Sequence, residues 1–414
     1  MNWQSRVIWT AVTQRVPAEV LDIMSLGRID TVKTTRLRGF IGGCALAGSL
    51  LASGCASEPA PVPPAELTSF TSEVQLLRIW SSKAGDSGRG LFEPLVVDDR
   101  IIVANSKGVL SSFAKDTGMR QWRKDLDVSL TSGVGGSANQ LFVSDVNANV
   151  HAIDTATGER NWQASASSEV LVPVVAGFGV AVVRSADGRV VALEPDNGVE
   201  RWSVSNPPPA LTLNGYSRPL LVDGGVLVGL DDGRVLALDT MSGRTIWETV
   251  LSVPSGRSEV ERLVDVDADI VIDNEGIYVA NYQGGAARLE PSRGQLMWTS
   301  PLSAGSGIAL DDSGLIVIDE DDKVIKLDKA TGRQLWVNDT MPGRRLSPPA
   351  FTPEGDILIG DVEGYLHVLD ANDGQVLGRA RPTDKPIVAR PLRIDNTVYV
   401  QAANGVLTAY RFTR

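Results

Sequence analysis

AIDTATGERNW, residues 152–162, decides the fold, because the same phrase returns along the chain. It stands as FAKDTGMRQW at 113–122, ALEPDNGVERW at 192–202, ALDTMSGRTIW at 237–247, RLEPSRGQLMW at 288–298 and KLDKATGRQLW at 326–336. It fades in VLDANDGQVLG at 368–378, where Gly378 takes the tryptophan place. The spacings from Trp122 through Trp162, Trp202, Trp247, Trp298 and Trp336 to Gly378 are 40, 40, 45, 51, 38 and 42 residues. Each phrase follows an apolar strand, a short polar turn and a second, alternating strand. A period near 42 residues with four short strands per unit predicts a β-propeller.

The two ends set the blade count. The last unit, from about Lys385 to Phe412, offers three strands, PIVARPLRID, NTVYVQAA and GVLTAYRF, with no closing phrase after them. The missing strand lies at the start, where LLRIW places Trp80 42 residues before Trp122. The expectation is therefore an all-β chain: an eight-bladed β-propeller of four-stranded antiparallel blades over 74–414, its ring closed by residues 74–83 pairing with the C-terminal blade. Closure removes the exposed sheet edges that an open array would leave. Seven of the nine tryptophans occupy the one repeat slot. A residue recurring in every unit is architecture, so each is expected to pack against the neighbouring blade.

Composition narrows the chemistry. Of 414 residues 43% are hydrophobic, enough for a large core and against whole-chain disorder. Two cysteines, Cys44 and Cys55, and two histidines, His151 and His367, exclude a disulfide framework and a cysteine-rich zinc site. A net charge of −11 argues against nucleic acid as the partner, since phosphate binding needs a basic face.

The first 54 residues read as a delivery signal. Basic residues ending at Arg38 precede the small and apolar run Gly39–Leu51, then Ala52-Ser53-Gly54-Cys55. That is the form of a secretory signal peptide, too short to span a bilayer as a stable helix. Its end resembles a bacterial lipobox, which implies acylation at Cys55, although Ala52 stands where leucine is usual. Met24 would open a signal of ordinary length. Ala56, in place of aspartate, resembles the rule for export to the outer membrane. Residues 55–73, with four prolines in ASEPAPVPPAE (56–66), are expected to form a lipidated cysteine and a semi-rigid tether.

Other chemistry-bearing patterns have bland readings. Gly133, Gly135, Gly136 and Ala138 match G-x-G-x-x-A, but no helix follows, so they read as a loop between blades. Asp265, Asp267 and Asp269 alternate, yet Ile270 and Gly276 stand where an EF-hand needs glycine and glutamate. The Asp319–Asp322 run reads as a solvated hairpin turn. His151 and His367 occupy the same repeat position and are expected to be strand residues without catalytic work. No metal, cofactor or catalytic group is assigned.

Extra length gathers in one region. The spacings of 45 and 51 residues place insertions at 206–217 and 251–270, the connections into two adjacent blades. Loops added to one face of a repeat array commonly bind partners. Leu211, Leu213, Arg262, Asp265 and Asp267 supply the apolar and charged groups of a protein-contact patch.

The repeat phrase resembles the PQQ-type propeller repeat, which occurs in quinoprotein dehydrogenases and in non-enzymatic relatives. The enzymes are expected to carry a vicinal cysteine pair, and after Cys55 this chain has no cysteine. With the signal, the tether, SEVERLVDVD (258–267) and GDVEGYLHVLDANDG (360–374), the chain is similar to the BamB family of outer-membrane assembly lipoproteins. That resemblance implies a non-enzymatic scaffold, lipid-anchored at the outer membrane of a Gram-negative bacterium and facing the periplasm. It would bind the POTRA domains of BamA and assist unfolded outer-membrane proteins. The family contacts map to Leu211, Leu213, Asp265 and Asp267; Asn214 replaces a family arginine, and Arg262 offers a substitute charge. The rival readings are a periplasmic quinoprotein dehydrogenase, which would carry a chromophore, and an outer-membrane propeller for polysaccharide or adhesion.

Overall fold

A computed structural model describes residues 62–87, 92–212, 217–252, 265–266 and 269–414. The expectations at Met24, Cys44, Cys55, Leu213, Arg262 and Asp267 lie outside those residues. The described residues form eight antiparallel sheets of four strands each. Blade 1 spans 95–125, blade 2 135–165, blade 3 175–205, blade 4 220–250, blade 5 271–300, blade 6 304–338 and blade 7 350–380. Blade 8 takes three strands from 392–413 and its outermost strand, Gln75–Lys83, from the other end of the chain. That strand pairs antiparallel with Val406–Thr413, from Gln75 opposite Thr413 to Lys83 opposite Val406. The eight-bladed propeller and its closure by the two chain ends are as the repeat predicts.

Each strand's sequence matches its depth in the blade. The second and third strands are buried on both faces and read as apolar runs such as Ile101–Ala104 and Val226–Val228. The fourth strand lies at the rim and alternates, so in Arg160–Ser165 the charged and polar side chains point to water while Trp162 turns inward. A register shift just before each outer tryptophan, as between Ala152 and Ile153, bends the chain toward the next blade.

The repeat phrase is a docking device between blades. In the turn before the fourth strand of blade 2, Asp154 Oδ1 accepts from the backbone N–H of Thr157 (2.7 Å) and its hydroxyl (2.8 Å). The Thr157 hydroxyl, with the backbone N–H beside it, holds the Asp154 carboxyl below its ordinary pKa. Gly158 then takes a left-handed φ of 74°, and a Cβ there would lie 2.8 Å from the ring of Trp122 in blade 1. Trp122 in turn donates its indole N–H to Thr155 O at 3.2 Å. The same hydrogen bond joins Trp80 to Lys115, Trp162 to Pro195, Trp202 to Thr240, Trp247 to Pro291, Trp298 to Lys329 and Trp336 to Ala371. Burying one such indole is worth an upper estimate of ~4–6 kcal/mol at about 25 cal/mol per Å².

Gly378 breaks the phrase for a structural reason. The third and fourth strands of blade 8 come from opposite chain ends, so no turn links them and a tryptophan from blade 7 would have nothing to dock on. Val74, 2% exposed, fills the place instead, with its carbonyl 2.9 Å from where a Cβ of Gly378 would stand. Residues 65–73, expected within the tether, pack along blade 7.

Near the axis, Gly135–Gly136 is the innermost strand of blade 2 and not a loop. A Cβ on Gly135 would lie 1.8 Å from Val174 O of the next blade. Glycine is needed because the inner strands converge.

Candidate partner-binding face

The order of strands puts every blade-to-blade connection and every central hairpin on one face, here termed the connection face. The turns carrying the TG phrase lie on the opposite, turn face. Outgoing connections are stitched to their own central hairpins: Leu126 N–H to Gly108 O, Asn206 N–H to Gly188 O and Leu251 N–H to Gly233 O, at 3.0, 3.0 and 2.9 Å. Both long connections, 206–217 and 251–270, therefore start from the same kind of anchor on the same face.

The described ends of these connections are firmly held. Ser217 is fully buried, and its carbonyl accepts from Arg184 Nη1 at 3.0 Å, while Arg184 Nη2 meets Asp231 Oδ1 at 2.5 Å. In the second connection, Val266 donates its N–H to Leu230 O at 3.2 Å, and Asp265 O accepts from Tyr282 N at 3.2 Å. Val266 and Ile270 join the core around Trp247. Of the expected contact residues, Leu211 is exposed at 37% and Asp265 is buried at 1%. Leu211 is thus at the surface, whereas Asp265, expected as a contact residue, is buried in the protein. Asp269, expected to be one of three alternating acids, turns into the interior.

A second constellation was not anticipated. Glu93, Arg218, Asp269 and Arg390 immediately precede the inner strands of blades 1, 4, 5 and 8, and none is more than 9% exposed. Arg218 Nη2 lies 3.1 Å from Glu93 Oε2. Blades 1 and 4 are not neighbours in a ring of eight, so this pair crosses the axis. Arg390 Nη2 lies 3.9 Å from Asp269 Oδ2 and donates to Ile308 O at 2.8 Å, and its backbone N–H points to Glu93 Oε1 at 3.5 Å. Burial pulls the Arg390 guanidinium down to about 10, against the opposing pull of Asp269 and Glu93. A sequence signal existed: Glu93, Arg218 and Arg390 each stand before a proline at the entrance to an inner strand.

Both histidines are strand residues, as expected. His151 Nε2 lies 2.9 Å from Asp145 Oδ2, and Asp145 also caps the hairpin through the N–H groups of Asn147 and Asn149. His367 repeats the arrangement with Asp361, at 2.9 Å. Burial depresses the His367 pKa, partly offset by Asp361, and its Nδ1 accepts from Arg379 Nε at 3.2 Å. Among the described residues no group of three or more His, Cys, Asp or Glu is arranged to hold a metal ion.

A family model described as outer membrane protein assembly factor BamB matches residues 106–338 and 320–413. The assembly factor BamB of Pseudomonas aeruginosa is 36% identical over 370 residues, covering 88% of this chain and 97% of its own length. That of Bordetella pertussis is 33% identical over 379 residues, covering 90% and 97%. The crystal structure of BamB from Moraxella catarrhalis superposes with a TM-score of 0.75 at 26% identity, covering 81% of this chain and all of that one. Quinohemoprotein alcohol dehydrogenase from Comamonas testosteroni shares the fold, with a TM-score of 0.67 at 14% identity, over 82% of this chain and 76% of its own. Near the axis of this fold, Arg218 lies 3.1 Å from Glu93 and Arg390 lies 3.9 Å from Asp269, so buried protein charges face one another there. The chain belongs to the BamB family of outer-membrane protein assembly factors.

Proposed function

We propose that the protein is a non-catalytic scaffold, acylated at Cys55 and facing the periplasm, which binds the POTRA domains of BamA through its two long connections and thereby assists unfolded outer-membrane proteins. Leu211 and Leu213 serve as apolar anchors and Arg262 and Asp267 supply charge, while the buried Asp265 holds its own end of the second connection through its carbonyl, which accepts from Tyr282 N–H. An apolar centre within a polar, charged rim is the general layout of a protein-protein interface. The observation that supports this reading most is the likeness to named assembly factors along almost the whole chain, together with the exposed Leu211 on one of the two long connections.

The test is to extract the full-length protein from membranes by a C-terminal tag, identify what accompanies it by mass spectrometry, and record an absorption spectrum of the same sample. BamA with no chromophore is the expected result. A quinone-like band without BamA would overturn the reading.

A further inference from the structure

Residues 65–74 form a strap along the outer edge of blade 7. At one end Ala65 donates its N–H to Pro342 O at 2.9 Å, and Ala65 O accepts from Arg344 Nη1. Arg344 is itself fixed, 1% exposed, with Nε on Asp361 Oδ2 at 2.7 Å and Nη2 on Glu363 Oε2 at 2.6 Å. Midway, Arg379 lies over the ring of Phe70, 4.9 Å from its centroid, and donates to Thr68 O at 3.4 Å. At the other end the N–H groups of Glu73 and Val74 share Leu377 O, at 2.9 and 3.2 Å.

The strap runs through the thickness of the ring. Pro342 and Arg344 belong to the connection from blade 6 to blade 7, so Ala65 lies at the connection face. Val74 leads into Gln75, which pairs with Thr413 at the turn-face end of blade 8. Without the strap the N-terminal segment would leave the ring from the turn face; with it, the segment leaves from the face that bears 206–217 and 251–270. The strap also covers the blade 7 edge, which would otherwise be open to pairing.

We propose that this strap decides which face of the propeller is held toward a lipid surface, placing the connection face on the membrane side. The inference rests on acylation at Cys55. Ala65 is ten residues from Cys55 and Gln75 is twenty, so the strapped chain reaches at most ~36 Å from the connection face, against ~72 Å from the turn face if released. The nine-residue strand Gln75–Lys83 spans ~30 Å, so the two faces differ in distance from lipid by about that amount.

Single cysteines replace two exposed aspartates of the blade 7 region, Asp384→Cys on the connection face and Asp373→Cys on the turn face. With Cys44 removed in the signal and Cys55 acylated, each is the one free thiol to label. The full-length lipoproteins are reconstituted into vesicles whose headgroups carry an energy acceptor, and flotation first confirms anchoring. Transfer from position 384 at least about twofold stronger than from 373 is expected from the ~30 Å separation. Equal or reversed transfer in floating vesicles overturns the proposal. The strap variant Phe70→Ser with Arg379→Gln should erase the difference while the protein still floats and melts cooperatively; an unchanged difference would show that the strap does not set the face. Failure to float identifies loss of the acylation reading, and the proposal falls with it.

Discussion

Seven boundaries between blades are built alike, and the eighth is not. At seven of them an outer tryptophan lies on a left-handed glycine of the next blade's turn and donates to a carbonyl beside it. Between blades 7 and 8 there is no such turn, Gly378 replaces the tryptophan, and Val74 of the strap fills the space. The repeat phrase therefore encodes a joint between covalently continuous units, and it lapses where the ring is closed by the chain ends. The closing blade is held by other means: eight paired positions between 75–83 and 406–413, and Arg390 at the axis.

The largest expected effect comes from forcing the two kinds of boundary into one another's chemistry. Gly243→Val places a Cβ 2.6 Å from the Trp202 ring at a φ of 68°, so the indole must leave its site. Denaturant titration should show a loss of roughly 3–5 kcal/mol, the cost of emptying an aromatic core site. The reciprocal change, Gly378→Trp, should also destabilise, because Val74 O occupies its entry; stabilisation there would show that the phrase is mere apolar filler.

Arg390→Met tests the axial hold on the closing blade. It leaves Asp269 and Glu93 buried beside a lost cation, and breaking such a set typically costs about 3–5 kcal/mol. An unchanged midpoint would mean that the axial charges contribute nothing to closure.

Both histidines are buried, and His367, on the third strand of blade 7, gives that blade a pH signature. His367 has its folded pKa lowered from 6.5, so the unfolded chain binds the proton more tightly, and its contribution to stability is full above 6.5 and declines as pH falls below it. Asp361 is desolvated, but hydrogen bonds from His367 and others outweigh this and lower its pKa from 3.8, which adds a loss of the same sign below about 3.8. Melting temperatures of His367→Gln should depend less on pH between 6.5 and 5 than those of the parent. Parallel profiles would contradict the assignment.

The smallest effect separates backbone strain from docking. Gly179 has a φ of 75°, like the turn glycines, but nothing lies within 4 Å of its would-be Cβ. Gly179→Ala should cost only about 1 kcal/mol, the price of a left-handed alanine. A loss as large as that of Gly243→Val would show that conformation, and not the tryptophan contact, makes the phrase glycine-dependent.

The blades were legible because each joint is written locally, in eleven consecutive residues whose tryptophan, acid and glycine act together. Gly378 was legible as a departure, but its cause was not, since Val74 meets it from 304 positions away in sequence. The strap has no motif: Ala65, Thr68 and Phe70 are ordinary residues whose partners, Arg344 and Arg379, lie at the far end of the chain. The axial charges were hidden for a similar reason, being single residues brought together only when the ring closes. Of the residues proposed for partner contact, loop length pointed to Leu211, which is exposed, but could not show that Asp265 is buried, because burial there depends on packing of Val266 against blades 4 and 5.

The most direct test of the scaffold is co-purification of BamA with a protein altered only on the inserted connections. Leu211→Asp with Leu213→Asp introduces charge where apolar anchors are proposed, and Asp267→Lys reverses a charge on the second limb. The account predicts that each preparation loses BamA from the eluate while keeping the parent's melting temperature. BamA retained at the parental level by both would contradict the assignment of the binding face.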